Sequence, residues 1–152
     1  MIRTGQVAGS LLALIGLLSL SSTAMAQHLD KHETRALVRH LQERSDEFQD
    51  KIDDWIAARA EERGREFGDL THQHVNDLQN SIDDLKVHLR EHDNPWDLRD
   101  EVRHVIDNAR EVNRALVHTP WYGDLREAWE PVRDAVDHLA EHYQLPPLHW
   151  ER

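Results

Sequence analysis

Four stretches of this chain carry apolar residues at alternating steps of three and four, the period of helices packed along one face. The first stripe reads Val38, Leu41, Ser45, Phe48, Ile52 and Trp55, inside a helix expected from about Asp30 to Ala60. The second reads Val75, Leu78, Ile82, Leu85 and Leu89, inside a helix from about Leu70 to His92. The third reads Leu98, Val102, Val105, Ala109, Val112 and Leu116, from about Pro95 to Val117. The fourth reads Leu125, Trp129, Val132, Val136, Leu139 and Tyr143, from about Asp124 to Tyr143. No alternating β-branched run and no Asn-Gly or Asp-Gly pair offers a strand or hairpin. Four amphipathic helices with short connections predict an all-α, up-down-up-down four-helix bundle with antiparallel neighbours.

The breaks between stripes carry helix-stop and helix-start chemistry. Gly64 and Gly68 interrupt the first connection. Asn94-Pro95 and Thr119-Pro120 each place a capping side chain before a proline at the first helical position. Pro131 falls inside the fourth stripe, where it has no N–H for residue 127. Because Leu125 and Trp129 keep the stripe in phase, a single helix kinked at Pro131 is expected. After Tyr143, QLPPLHWER ends the helix and is expected to fold Leu145 and Trp150 back onto the bundle. The first helix is expected to be the longest, with an N-terminal turn that projects or meets another chain.

The first 26 residues read as a signal peptide. Arg3 precedes the apolar run VAGSLLALIGLLSL, too short to span a bilayer comfortably, and Ala24-Met25-Ala26 forms a small-x-small cleavage pattern. Residues 27–152 then form a single domain in the periplasm or outside the cell, with no integral membrane segment of their own. Cysteine is absent and both methionines lie in the leader, so disulfides and thiolate-held metal centres are excluded. Arg3 is the one charged residue of the leader, which leaves 17 basic against 29 acidic side chains and a formal net charge of −12. So acidic a chain repels nucleic acid and anionic lipid. All 12 histidines lie in residues 27–152, and protonating every one would bring that charge to zero.

Three stretches carry a resemblance. ERSDEF with IDD (43–54), Val75-Asn76-Asp77 with Ile82-Asp83-Asp84-Leu85, and W-x-x-VRDAVDHLAEHYQL (129–145) resemble a family of uncharacterised exported bacterial helical-bundle proteins. The resemblance implies the bundle fold and export. It implies no activity, cofactor or catalytic residue. The family more often carries Asn after its late Tyr, where this chain has Gln144, and TPWYGD and Pro131 also depart from it.

Chemistry is sought first among the histidines. HLREH (88–92) and HLAEH (138–142) both match H-x-x-E-H, a spacing that places two histidines one turn apart for zinc in some metallopeptidases. His88, Glu91, His92, His138, Glu141 and His142 are therefore the candidate ligands, and a divalent transition metal the one cofactor considered. His28 and His32 form a further i,i+4 pair, whereas His72 and His74 are two apart and diverge. On the wheel set by the stripes, His138 points outward, and His88 and His142 flank the seam. Catalytic zinc needs a third protein ligand, an activated water and a cleft, for which narrow stripes leave little room. In a chain this rich in His and Glu the pattern also arises by coincidence, so a solvated polar face is the leading reading.

Other constellations are weaker. Ser45 lacks a basic partner and reads as a small core residue bonded back to a carbonyl. Asp53–Asp54 and Asp83–Asp84 are adjacent and diverge on a helix. SDEFQDKIDD lacks the glycine and alternation of a calcium loop. Trp55 and Trp129 lie on core stripes. Trp96, Trp121 and Trp150 lie at helix starts or in the tail, either as a cap on one end of the bundle, the favoured reading, or as an apolar patch for a partner.

The expected function is that of an exported, non-catalytic bundle acting as an envelope interaction or structural module, with a protein partner or a second copy of itself. Metal binding or buffering through the histidines is the first alternative. pH-responsive self-association, with protonation cancelling the acidic repulsion, is the second.

Overall fold

The computed structural model describes residues 30–59, 65–117 and 122–148. The signal peptide expected over 1–26, together with His28, the Thr119-Pro120 cap, Trp121 and Trp150, lies outside the described residues. Four helices follow one another: α1 (Lys31–Arg59), α2 (Arg65–Glu91), α3 (Arg99–Val117) and α4 (Tyr122–His142). They pack antiparallel in a closed ring in which α1 meets α2 and α4, and α3 meets α2 and α4. Among the described residues, no helix is long and apolar enough to cross a membrane.

The apolar stripes are the core. Their residues are buried throughout, with only Trp55 left partly exposed at the open end of the first stripe. Trp129 is fully buried at the centre, its ring tilted 53° against Phe48 at a centroid distance of 5.1 Å. The small polar residues Thr34, Ser45 and Thr71 continue the stripes and are equally buried. Ser45 is not bonded back to a carbonyl as expected, because its hydroxyl has no hydrogen-bond partner. Asn113 is the polar core residue off the stripes, and it accepts a 3.0 Å hydrogen bond from the Trp129 indole N–H.

Two boundaries differ from the expected ones. α2 begins at Arg65 and runs through Gly68, which lies inside the helix, and Gly64 lies outside the described residues. A helical glycine costs about 1 kcal/mol, which the amphipathic segment after it outweighs. Pro95–Leu98 forms a 3₁₀ turn ahead of α3. Its start follows the expected device: Asn94 Oδ1 accepts from Trp96 N at 3.3 Å, and Pro95 occupies the first turn. α4 is one helix through Pro131. Pro131 is exposed, so the carbonyl it fails to engage can bond to water instead.

The helix ends at one pole are tied together. Asp30 Oδ1 caps α1 by accepting from His32 N at 2.9 Å. Lys31 pairs with Asp93 at 3.2 Å, so the first turn of α1 is fastened to the α2–α3 connection rather than projecting. α4 ends in a Schellman motif: Leu145 N bonds to Ala140 O at 2.8 Å and Gln144 N to Glu141 O at 3.0 Å. Gln144 sits at the left-handed position of that motif with φ 53°. Arg99 then donates to the carbonyls of Tyr143 and Gln144, both at 3.2 Å. Leu148 N donates to Asp137 Oδ1 at 2.7 Å, and Leu148 packs on the core beside Leu145, whose return to the bundle was expected.

Candidate functional site

The histidines of the two motifs stand in different surroundings. His88 Nδ1 lies 3.3 Å from Glu101 Oε1 across the α2–α3 seam, without the alignment of a hydrogen bond. His92 is exposed and meets the His88 ring edge-on at 6.2 Å, as an i,i+4 pair should. His142 Nε2 lies 3.1 Å from Thr34 Oγ1. Thr34 Oγ1 also lies 3.0 Å from the Asp30 carbonyl, so one hydroxyl links the first turn of α1 to the end of α4. His138 is exposed, in a shallow groove between α1 and α4 that also contains His40. Glu91 and Glu141, the acidic members of the two H-x-x-E-H motifs, are exposed. Among the described residues, no group of three or more His, Asp or Glu side chains is arranged to hold a metal ion.

The tied pole is closed by aromatic packing. Trp96 is partly buried and stands edge-on to Tyr143 at 6.3 Å, in line with a cap. Tyr143 is fully buried and its phenol oxygen has no hydrogen-bond partner of ordinary geometry. Burial pushes its pKa up to about 12, and the negative charge of Glu101 adds to the rise against a smaller opposing effect of the Thr34 hydroxyl. Among the described residues, the exposed large hydrophobics are Leu70 and Val87. Seventeen positions apart on one helix, they stand about 25 Å from each other and form no common patch.

Two grooves of opposite charge flank α2. Between α2 and α3 lies a groove of about 570 Å³ lined by Asp77, Asp84, Asp100 and Glu101 with His88 and His104. Between α1 and α2 lies a second groove of about 330 Å³. Its rim is Arg35 and Arg39 from α1 and Lys86 and Arg90 from α2, its floor is Val38 and Leu89, and Gln42 completes it. No carboxylate lines it. Sequence reasoning concentrated on histidine and tryptophan and did not single out these arginines.

The arginines of this groove differ from the rest. Arg44, Arg103, Arg110, Arg114, Arg126 and Arg133 each pair with a carboxylate one turn or one residue away, and Arg99 holds two carbonyls. Arg35, Arg39 and Arg90 make neither an ion pair nor a hydrogen bond among the described side chains, and all three line the same groove. Lys86 pairs with Asp83 at 3.0 Å on its outer side. Guanidinium groups arrayed over an apolar floor, without internal partners, are suited to binding carboxylates in a bidentate manner.

In comparisons with protein-family models, with curated proteins and with solved structures, nothing matched this chain. The resemblance carried by its stripe positions extends to the helical-bundle fold alone.

Proposed function

We propose that this chain is an exported, non-catalytic helical bundle that works in the cell envelope as a protein-interaction module, docking its partner over the α1–α2 groove. The single observation that carries this reading is the gathering of Arg35, Arg39 and Arg90 in one groove of a strongly acidic chain, each without an internal partner. Like charges one turn apart repel, so this arrangement costs the fold about 0.2–0.5 kcal/mol per pair. Local departures of that kind are expected at functional sites. The leader pattern and the resemblance to exported bacterial bundles support the compartment. The tied pole and the uninterrupted core support a rigid scaffold that presents the groove in one shape.

The test places a photo-reactive amino acid at Gln42, inside the groove, in the full chain produced in an exporting bacterial host. Illumination is expected to give a discrete adduct with another polypeptide, and R35E/R90E is expected to abolish it. Failure to form any adduct, or an adduct that persists unchanged in R35E/R90E, would overturn the assignment of the groove.

A further inference from the structure

We infer that the partner element is an acidic amphipathic helix, with carboxylates at i, i+4 spacing that meet the arginine rails and apolar side chains that rest between them. This rests on the interaction reading above and names the chemistry of its partner.

The rails set the spacing. Arg35 and Arg39 are four residues apart on α1, and Lys86 and Arg90 four apart on α2, so each pair steps about 6 Å along its helix. Carboxylates at i and i+4 of a third helix step by the same distance. Between the rails, Val38 and Leu89 close the floor, and the aliphatic stems of the arginines and Lys86 make apolar walls. Val38 and Leu89 are themselves already buried in the core, so a helix laid along this trough would rest its apolar stripe on those aliphatic stems while its flanking acids reach up to the guanidinium forks. That is the helix-in-groove mode of recognition. A partner strand would have nothing to pair with, because every described element is helical and its backbone donors are already used.

Charge chooses among anionic partners. A flat anionic bilayer would face the whole chain, whose net charge repels it, and no large apolar side chain stands on the groove rim to insert. A narrow helix meets only the groove, because exposed charges farther than about 8 Å are screened at physiological ionic strength. The groove therefore selects a slender acidic ligand and the remaining surface rejects a broad one.

The experiment titrates the chain purified from the exporting host with a fluorescently labelled, alanine-rich helical peptide. The peptide carries Glu at i, i+4 and i+8, and Leu at i+3 and i+7. A twin with Gln for each Glu, and vesicles of phosphatidylglycerol in phosphatidylcholine, complete the probe set. The Glu peptide is expected to bind, the Gln twin about tenfold more weakly, and the vesicles not to sediment the protein. R35E/R90E is expected to lower affinity for the Glu peptide about a hundredfold, whereas R103E/R114E, with the same change in net charge outside the groove, keeps it within about threefold. Thermal midpoints of both variants verify that they fold. Equal affinity for the Glu and Gln peptides, equal loss in both variants, or vesicle binding without peptide binding would each overturn the inference. A Gln42 adduct that forms while no acidic peptide binds would leave the interaction reading in place and reject only the acidic helix.

Discussion

The bond between the Trp129 indole and Asn113 is the sharpest place to test how this core is held. Trp129 is fully buried, and its Nε1–H donates to Asn113 Oδ1 at 3.0 Å from a neighbouring helix. Asn113 is itself 7 % exposed, so neither group has water as a substitute partner. Asn113→Ala strands the indole N–H and leaves a small cavity, at a cost of about 2–3 kcal/mol. Trp129→Phe strands the amide oxygen and loses apolar contact, including part of the stacking on Phe48, at a similar cost of about 2–4 kcal/mol. The double variant has no stranded partner to penalise twice. It is therefore expected to fall short of the sum by about 1–2 kcal/mol. Urea unfolding followed by far-ultraviolet circular dichroism measures all four proteins, and a two-state domain of this size makes the differences interpretable. Single-variant costs that add to within about 0.3 kcal/mol would refute the claim that this bond joins α3 to α4.

Three further outcomes follow from the same structure. Gln144 occupies the left-handed position of the Schellman motif, so Gln144→Gly is expected to stabilise the fold by about 0.5–1 kcal/mol, read as a higher urea midpoint with an unchanged slope. Tyr143 has its pKa raised from 10.0 to about 12 in the folded state, which favours the neutral phenol; stability should hold below pH 10 and fall by about 2–3 kcal/mol as pH rises to 12, and Tyr143→Phe should remove that alkaline loss in pH-dependent unfolding. Arg39→Gln removes one of two like charges a turn apart and breaks no bond, so it should leave the thermal midpoint equal or slightly higher, whereas Arg114→Gln, which loses its pair with Glu111, should lower it slightly.

Periodicity made the fold legible. Each stripe residue named from the 3/4 spacing lies against the core, because in a narrow four-helix ring position on the helix face decides burial. Even Thr34, Ser45 and Thr71 keep that phase, each four residues from Val38, Leu41 and Val75 respectively. Asn113 was illegible, since it sits beside Val112 off the stripe and is buried because an indole from another helix satisfies it. Gly68 misled because local propensity marks a break and the amphipathic segment overrides it. Of the histidines in the two motifs, His88 lies beside Glu101 and His142 beside Thr34, neighbours that only the packed helices supply. The groove was harder to see, for it needs α1 and α2 side by side. A signal was nonetheless present. Arg35 has no acid three or four residues away in either direction, and the one acid at that spacing from Arg90, Asp93, is taken by Lys31.

The central claim is that three arginines wait in one groove for carboxylates, and their own side-chain signals test it most directly. In isotope-labelled protein, the arginine Nε–H resonances can be followed by nuclear magnetic resonance while the Glu helix is added. The account predicts that Arg35, Arg39 and Arg90 shift together and saturably, while Arg103, Arg110 and Arg114, already paired with Asp100, Asp107 and Glu111, stay in place. Uniform small shifts across all arginines, or movement confined to those outside the groove, would contradict it.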